Sequence, residues 1–148
     1  CTPGQIQRYL SKISGPLLDR IDIQCEISPL PFKDLSKAEQ GETSANIRER
    51  VLKARSIQTE RFKNYPNIHC NAQMSERMIH EFAEPDEQSL EILRKAMESL
   101  KLSARAYNRI LKVARTIADL DASTKVQAHH IAEAIGYRSL DRGDWGER

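Results

Sequence analysis

The sequence predicts a mainly α chain: a C-terminal bundle of helices, a long basic helix before it, and at the front a helix plus one strand forming the edge of a larger α/β domain. Three observations predict this. From residue 43 onward, capping residues recur ahead of runs that place an apolar residue every three or four positions. Only one run alternates, Ile21-Asp22-Ile23-Gln24-Cys25-Glu26-Ile27, and a lone strand with one apolar face cannot make a sheet by itself. There is no internal repeat and no low-complexity tract. The expected division is residues 1–30 as the core edge, 31–72 as a linker and the long basic helix, 73–142 as the helical bundle and 143–148 as a tail.

Thr2-Pro3-Gly4-Gln5 starts the first helix, with a hydroxyl N-cap, Pro in the first turn and Gln three residues after the cap. That helix is expected to run to about Ile13 and stop at Gly15. Ser14 and Pro16 open a short turn through Leu17-Leu18. The strand follows with Ile21, Ile23, Cys25 and Ile27 inward, until Pro29 and Pro31 end it. Residues 31–43 read as a loop with one helical turn. Thr43 caps a helix from Ser44 to Lys63, on which Ile47, Val51, Ala54 and Gln58 trace a narrow apolar face. Its cations, Arg48, Arg50, Lys53, Arg55, Arg61 and Lys63, oppose only Glu49 and Glu60.

Asn64 to Asn71 breaks the pattern, and a short helix follows near Ser75–Phe82. Pro85 starts another, with Leu90, Leu93, Met97 and Leu100 inward and Asp86 and Glu87 at its positive N-terminal end. Ser103 caps a helix to about Leu120, and Gln127 or Ala128 starts the last one. The core is expected to hold Leu90, Leu93, Met97, Tyr107, Ile110, Leu111, Ala114, Ile131 and Ile135. Ala118-Asp119-Leu120-Asp121 reads as a C-terminal cap region. The tail from Arg138, charged and Gly-containing, is expected to fray.

Bulk properties exclude several function classes. Aromatic residues are 5% of the chain, too few for a base-stacking nucleic-acid module. The net charge of +2 excludes a bulk-basic protein, so any nucleic-acid contact must come from local patches. No apolar run approaches the roughly 20 residues that span a bilayer, so no membrane partner is expected. The chain opens at Cys1-Thr2-Pro3 without Met and reads as a cut-out fragment. Cys1, Cys25 and Cys70 are odd in number and far apart, which fits reduced thiols in a cytosol better than a disulfide framework. Cys25 is expected in the core. His69-Cys70 offers two metal ligands, and two do not make a site, so no metal centre is expected within this chain.

Two places carry candidate chemistry. In "SGPLLDRIDI", Asp19-Arg20 is wedged between a helical turn and a strand, a rigid mount for an aimed arginine and equally a place for an ordinary pair of Arg20 with Asp19 or Asp22. On the helix from Ser103 to Leu120, Tyr107, Ile110, Leu111, Ala114, Ile117 and Ala118 cluster on one side, and Arg105, Arg109 and Lys112 on the other. The plain reading of such a stripe is a solvated face. Solvated faces usually alternate in sign, however, and no acid occurs between Ser103 and Ala118. An all-cationic stripe starting in the first turn also opposes the helix dipole, so an anion is expected to offset it: phosphate, or carboxylates of a neighbouring subunit.

"SGPLLDRIDI", the long basic helix, "LSARAYNRILKVARTIADLDAS" and "HIAEAIGYR" together resemble the C-terminal third of magnesium-chelatase-like AAA+ ATPases, in the ComM/YifB competence-protein branch. The resemblance runs from about Thr2 to Arg142. It implies an AAA+ lid-type bundle preceded by the residual edge of the ATPase core, in a ring oligomer, a hexamer, with nucleotide bound between subunits. It implies that Arg20 is the arginine finger acting in trans on a neighbour's γ-phosphate, and that Arg105 is the sensor-2 arginine touching phosphate from the lid. Arg109 and Lys112 have weaker claims on the nucleotide. The implied cofactors are ATP and Mg in a full-length protein, with none expected bound to these residues; the implied partner of the full-length form is DNA, remodelled or branch-migrated during uptake, and the implied compartment is cytoplasmic. A chelatase motor for magnesium insertion into porphyrin and a non-catalytic helical interaction module remain open as alternatives. No G-x-x-x-x-G-K-[ST] loop occurs in the chain, so these residues alone are expected to turn over no ATP.

Overall fold

The computed structural model describes residues 2–10, 12–25, 27, 29 and 41–138. Helices α1 (Pro3–Leu10), α2 (Gly15–Leu18), α3 (Ser44–Arg61), α4 (Glu76–Phe82), α5 (Glu87–Leu100), α6 (Ala104–Leu120) and α7 (Ala128–Gly136) follow one another, with a single 3-10 turn, Asn71–Gln73, between α3 and α4. The expectations for Cys1, for residues 31–40 and for the tail beyond Arg138 lie outside the described residues.

The starts of the helices follow the local chemistry that predicts them. At four helices an orphan backbone N–H of the first turn is taken by the side chain one residue upstream. Thr43 Oγ1 accepts from Asn46 N (3.3 Å), Ser75 Oγ from Met78 N (3.4 Å), Asp86 Oδ1 from Ser89 N (2.8 Å) and Ser103 Oγ from Ala106 N (3.2 Å). The first helix ends sooner than the expected Ile13. The long helix ends at Arg61, where Phe62 turns out of it and closes an edge-to-face cluster with Tyr65 and Phe82. In the stretch after Lys63, Tyr65 joins Phe62 and Phe82 at the junction between α3 and α4.

Helix α6 is the centre of the bundle. It packs against α7, α3, α4 and the 3-10 turn, while α5 packs on α7. Its inner face is sealed: Ala106, Ile110, Ala114 and Ala118 are fully buried and Leu111 nearly so. Leu93 and Ile131 meet this face, and Met97, Tyr107 and Ile135 pack at its margin half-buried. Leu90 does not; it stands 47% exposed on the outer side of α5, because the buried stripe of that helix runs through Ser89 and Leu93.

Three further expectations are corrected. The strand at Ile21–Ile27 does not form among the described residues, since a strand exists only through a ladder and no second extended segment runs beside it. Its phase is also reversed: Gln24 is buried, while Ile21, Ile23, Cys25 and Ile27 are exposed. Gln24 is drawn in by two hydrogen bonds, its N–H to Tyr137 O (2.8 Å) and its Nε2 to Leu18 O (3.4 Å). On α3, only the C-terminal half of the narrow apolar face is covered: Ala54 and Gln58 are buried, and Ile47 and Val51 remain exposed. Arg138 does not fray; it is 1% exposed.

Asp119 fixes the register of α3 on α6. The segment Ala118–Asp121 closes α6 as expected, with Asp121 as the C-cap, and Asp119 within it is in addition the buried hub of a polar network. Arg61 grips both of its carboxylate oxygens. Asn71 Nδ2 donates to Oδ2 (2.8 Å) and Arg115 Nε to Oδ1 (3.1 Å). Arg115 also closes the chain after α6 by donating to Thr124 O (3.0 Å) and Ser123 O (2.5 Å). A buried carboxylate is tolerable only when it is paired and hydrogen-bonded in this way.

Candidate phosphate-binding site

The cationic stripe of α6 lines a cavity of about 510 Å³. Arg105, Arg109 and Lys112 form one wall, Ile23, Ile117 and Leu120 supply apolar surface, and Asp22 and Glu133 contribute carboxylates. The stripe stays out of the core, as the helical wheel predicts: Arg105 is exposed, and Arg109 and Lys112 are half-buried. Lys112 Nζ donates to Ala72 O (2.9 Å). Burial, with the Arg109 charge beside it, pulls the Lys112 ammonium below the ordinary lysine pKa, and Asp22 pulls it partly back.

One anion that offsets the stripe lies in the same chain. Asp22 pairs with Arg109, 87 positions away in sequence. Asp19, on the other side of Arg20, accepts from Ser103 Oγ (3.0 Å) and lies 3.8 Å from an Arg138 nitrogen. Both acids that flank Arg20 are therefore engaged with other groups. Among the described residues Arg20 has no ion pair; its side chain is exposed at the end of the turn after α2 and does not line the cavity. Nor does Arg105 have an ion pair among the described residues. The structure thus gathers Arg105, Arg109 and Lys112 at one cavity and leaves Arg20 outside it.

A second cluster escaped the sequence. Asp121, His129 and His130 place their ligand atoms within 4.8 Å of one another. Hydrogen bonding explains the arrangement. His130, fully buried, accepts the Gln127 backbone N–H at Nδ1 (2.9 Å), so that nitrogen carries no proton; Nε2 then bears the proton and faces Asp121 Oδ2 at 3.1 Å. A proton-bearing Nε2 is no ligand atom, so the cluster as it stands is a helix cap. Burial and the neighbouring His129 lower the His130 pKa, against a partial pull upward from Asp121. No described helix is long and apolar enough to cross a membrane.

Comparison with known proteins bears on both halves of the chain. Residues 41–138 match the family described as magnesium chelatase, subunit ChlI C-terminal, and residues 1–35 match magnesium chelatase, subunit ChlI. Competence protein ComM of Haemophilus influenzae is 44% identical over 142 residues, covering 95% of this chain and 27% of the relative. The protein YifB of Escherichia coli K12 is 42% identical over 143 residues, covering 96% of this chain and 27% of the relative. The chain spans about a quarter of the length of these relatives. The helices from α3 onward fall within the match to the ChlI C-terminal family, and the chain belongs to the magnesium-chelatase ChlI-type family, in its ComM/YifB branch.

Proposed function

We propose that this chain is the finger and lid portion of an oligomeric AAA+ ATPase, a hexameric ring, that remodels or migrates branched DNA in the cytoplasm during uptake. The observation that carries the reading is the disposition of the arginines. Arg105 stands on the wall of a cationic cavity, while Arg20 is exposed outside it with both adjacent acids committed elsewhere. An arginine that stabilises charge on a neighbour's nucleotide must be free of its own chain's carboxylates and rigidly mounted. The name of the Haemophilus relative supports the link to DNA uptake.

The cavity's cations suit phosphate oxygens. Its carboxylates are occupied, Asp22 by Arg109 and Glu133 by the Tyr137 hydroxyl at 2.9 Å, so this chain is not expected to hold the magnesium that accompanies ATP. A second reading, a porphyrin-metallating motor, takes its support from the chelatase family match and would use the same arginines. The test is steady-state ATP hydrolysis by the family-length protein with and without branched DNA. Stimulation by DNA, with Arg105→Ala raising KM for ATP and lowering kcat, is expected. Turnover indifferent to DNA and to Arg105→Ala would overturn the reading.

A further inference from the structure

Arg20 is bracketed by a single buried side chain. Arg138 follows the end of α7 and is 1% exposed. Its Nη1 donates to Ile21 O (2.6 Å), and its Nη2 lies 3.8 Å from Asp19 Oδ1. One guanidinium therefore reaches the residue before Arg20 and the residue after it. The other Asp19 oxygen accepts from Ser103 Oγ, the same hydroxyl oxygen that caps α6 by accepting from Ala106 N. Next to Arg138, Tyr137 O takes the Gln24 N–H (2.8 Å). Within the segment, Arg20 N donates to Leu17 O and Ile21 N to Leu18 O, both at 3.0 Å. The backbone on either side of Arg20 is thus tied to the two helices of the bundle, at the start of α6 and the end of α7.

We propose that Arg138, with Asp19 as its partner, is a positioning residue that aims Arg20, and that it couples the finger to the lid of its own subunit. Arg138 touches no nucleotide in this scheme. It acts by fixing the backbone that carries the finger: Nη1 hydrogen-bonds the Ile21 carbonyl, while Nη2, too far from Asp19 for a hydrogen bond, attracts that carboxylate by charge alone. A misplacement of about 1 Å in a group that stabilises a transition state costs on the order of 10²-fold in rate. Because Asp19 is held by the cap of the helix carrying Arg105, a shift of α6 on phosphate binding would be transmitted to Arg20 through that cap.

The inference rests on Arg20 being a finger, and the experiment separates the two claims. ATP hydrolysis by the family-length protein is compared for Arg20→Ala, Arg138→Gln, Arg138→Lys and the double variant Arg20→Ala/Arg138→Gln. Amide hydrogen exchange is followed at residues 20–24 and within α6. Arg138→Gln is expected to lower kcat by about 10²-fold, with KM for ATP within about twofold, and Arg138→Lys to fall between it and the parent. Exchange should quicken at residues 20–24 and stay unchanged within α6. The double variant should be no slower than Arg20→Ala alone, a masking that a merely structural residue would not produce. If Arg20→Ala is inactive and Arg138→Gln is normal, or the two losses multiply, the positioning role is overturned and the finger stands. If Arg20→Ala turns over normally, both fall. Should Arg138→Gln fail to fold, Asp19→Asn serves in its place, because it preserves shape and removes the charge that faces Arg138.

Discussion

Arg61, in the last turn of α3, holds both carboxylate oxygens of Asp119, in the last turn of α6, across 58 positions of sequence. The Asp119 side chain is 0% exposed and that of Arg61 12%. This pair, braced by Asn71 and Arg115, sets how the long helix leaves the bundle.

Removing one partner leaves the other charge buried and alone. Asp119→Ala should destabilise the chain by about 3–5 kcal/mol, since both Arg61 and Arg115 then lose their counter-charge. Urea denaturation with an unchanged slope measures this. A loss below about 1 kcal/mol would mean that the network does not bear the packing of α3 on α6.

Two leucines on one helix, three positions apart, should behave oppositely. Leu93 is fully buried in the core cluster, whereas Leu90 is 47% exposed. Leu93→Ala is expected to cost about 2–5 kcal/mol and Leu90→Ala no more than about 0.5 kcal/mol, read from the same denaturation curves. The reverse order would place the inner face of α5 on the wrong side.

Acid should weaken the start of α7. His130 is buried neutral, with Nδ1 accepting the Gln127 N–H, and its pKa in the fold lies below the ordinary histidine value. His129, Asp121 and Arg115 are the charged or titratable groups that act on it. Because the unfolded chain takes up the proton first, stability is full above about pH 6.5 and declines as pH falls through the window down to the folded pKa. The slope from this one group is at most about 1.4 kcal/mol per pH unit. His130→Gln, which can still accept the Gln127 N–H from the third position of a capping box, should flatten that slope. An unchanged slope in the variant would remove His130 from the account.

The parts legible in the sequence are those with local causes. Thr43 and Ser103 announce helix starts because a cap acts within three residues, and the α6 stripe is legible because helical periodicity alone separates Ile110 and Ala114 from Arg105 and Arg109. Asp119 and Arg138 were illegible for the opposite reason. Each looks like a surface charge near a helix end until a partner 58 or 117 positions away folds against it, and no local pattern encodes that meeting. The same holds for Gln24, whose burial is decided by Tyr137 O, against the alternation of its own segment. The cavity's basic wall could be read in advance, but not the fact that Asp22 closes on Arg109.

The central claim is that Arg20 works on a nucleotide held by another subunit, and mixed rings test it most directly. Arg20→Ala subunits of the family-length protein are combined with subunits lacking the lysine of the phosphate-cradling loop, and ATP hydrolysis is measured against mixing ratio, with co-assembly checked by sedimentation. Each protein alone should be slow, the Arg20→Ala rings by about 10³–10⁵-fold. Mixtures should regain activity at interfaces that join one intact finger to one intact nucleotide site. If the two proteins assemble together and never complement, or if Arg20→Ala alone retains normal turnover, Arg20 is not a trans-acting finger.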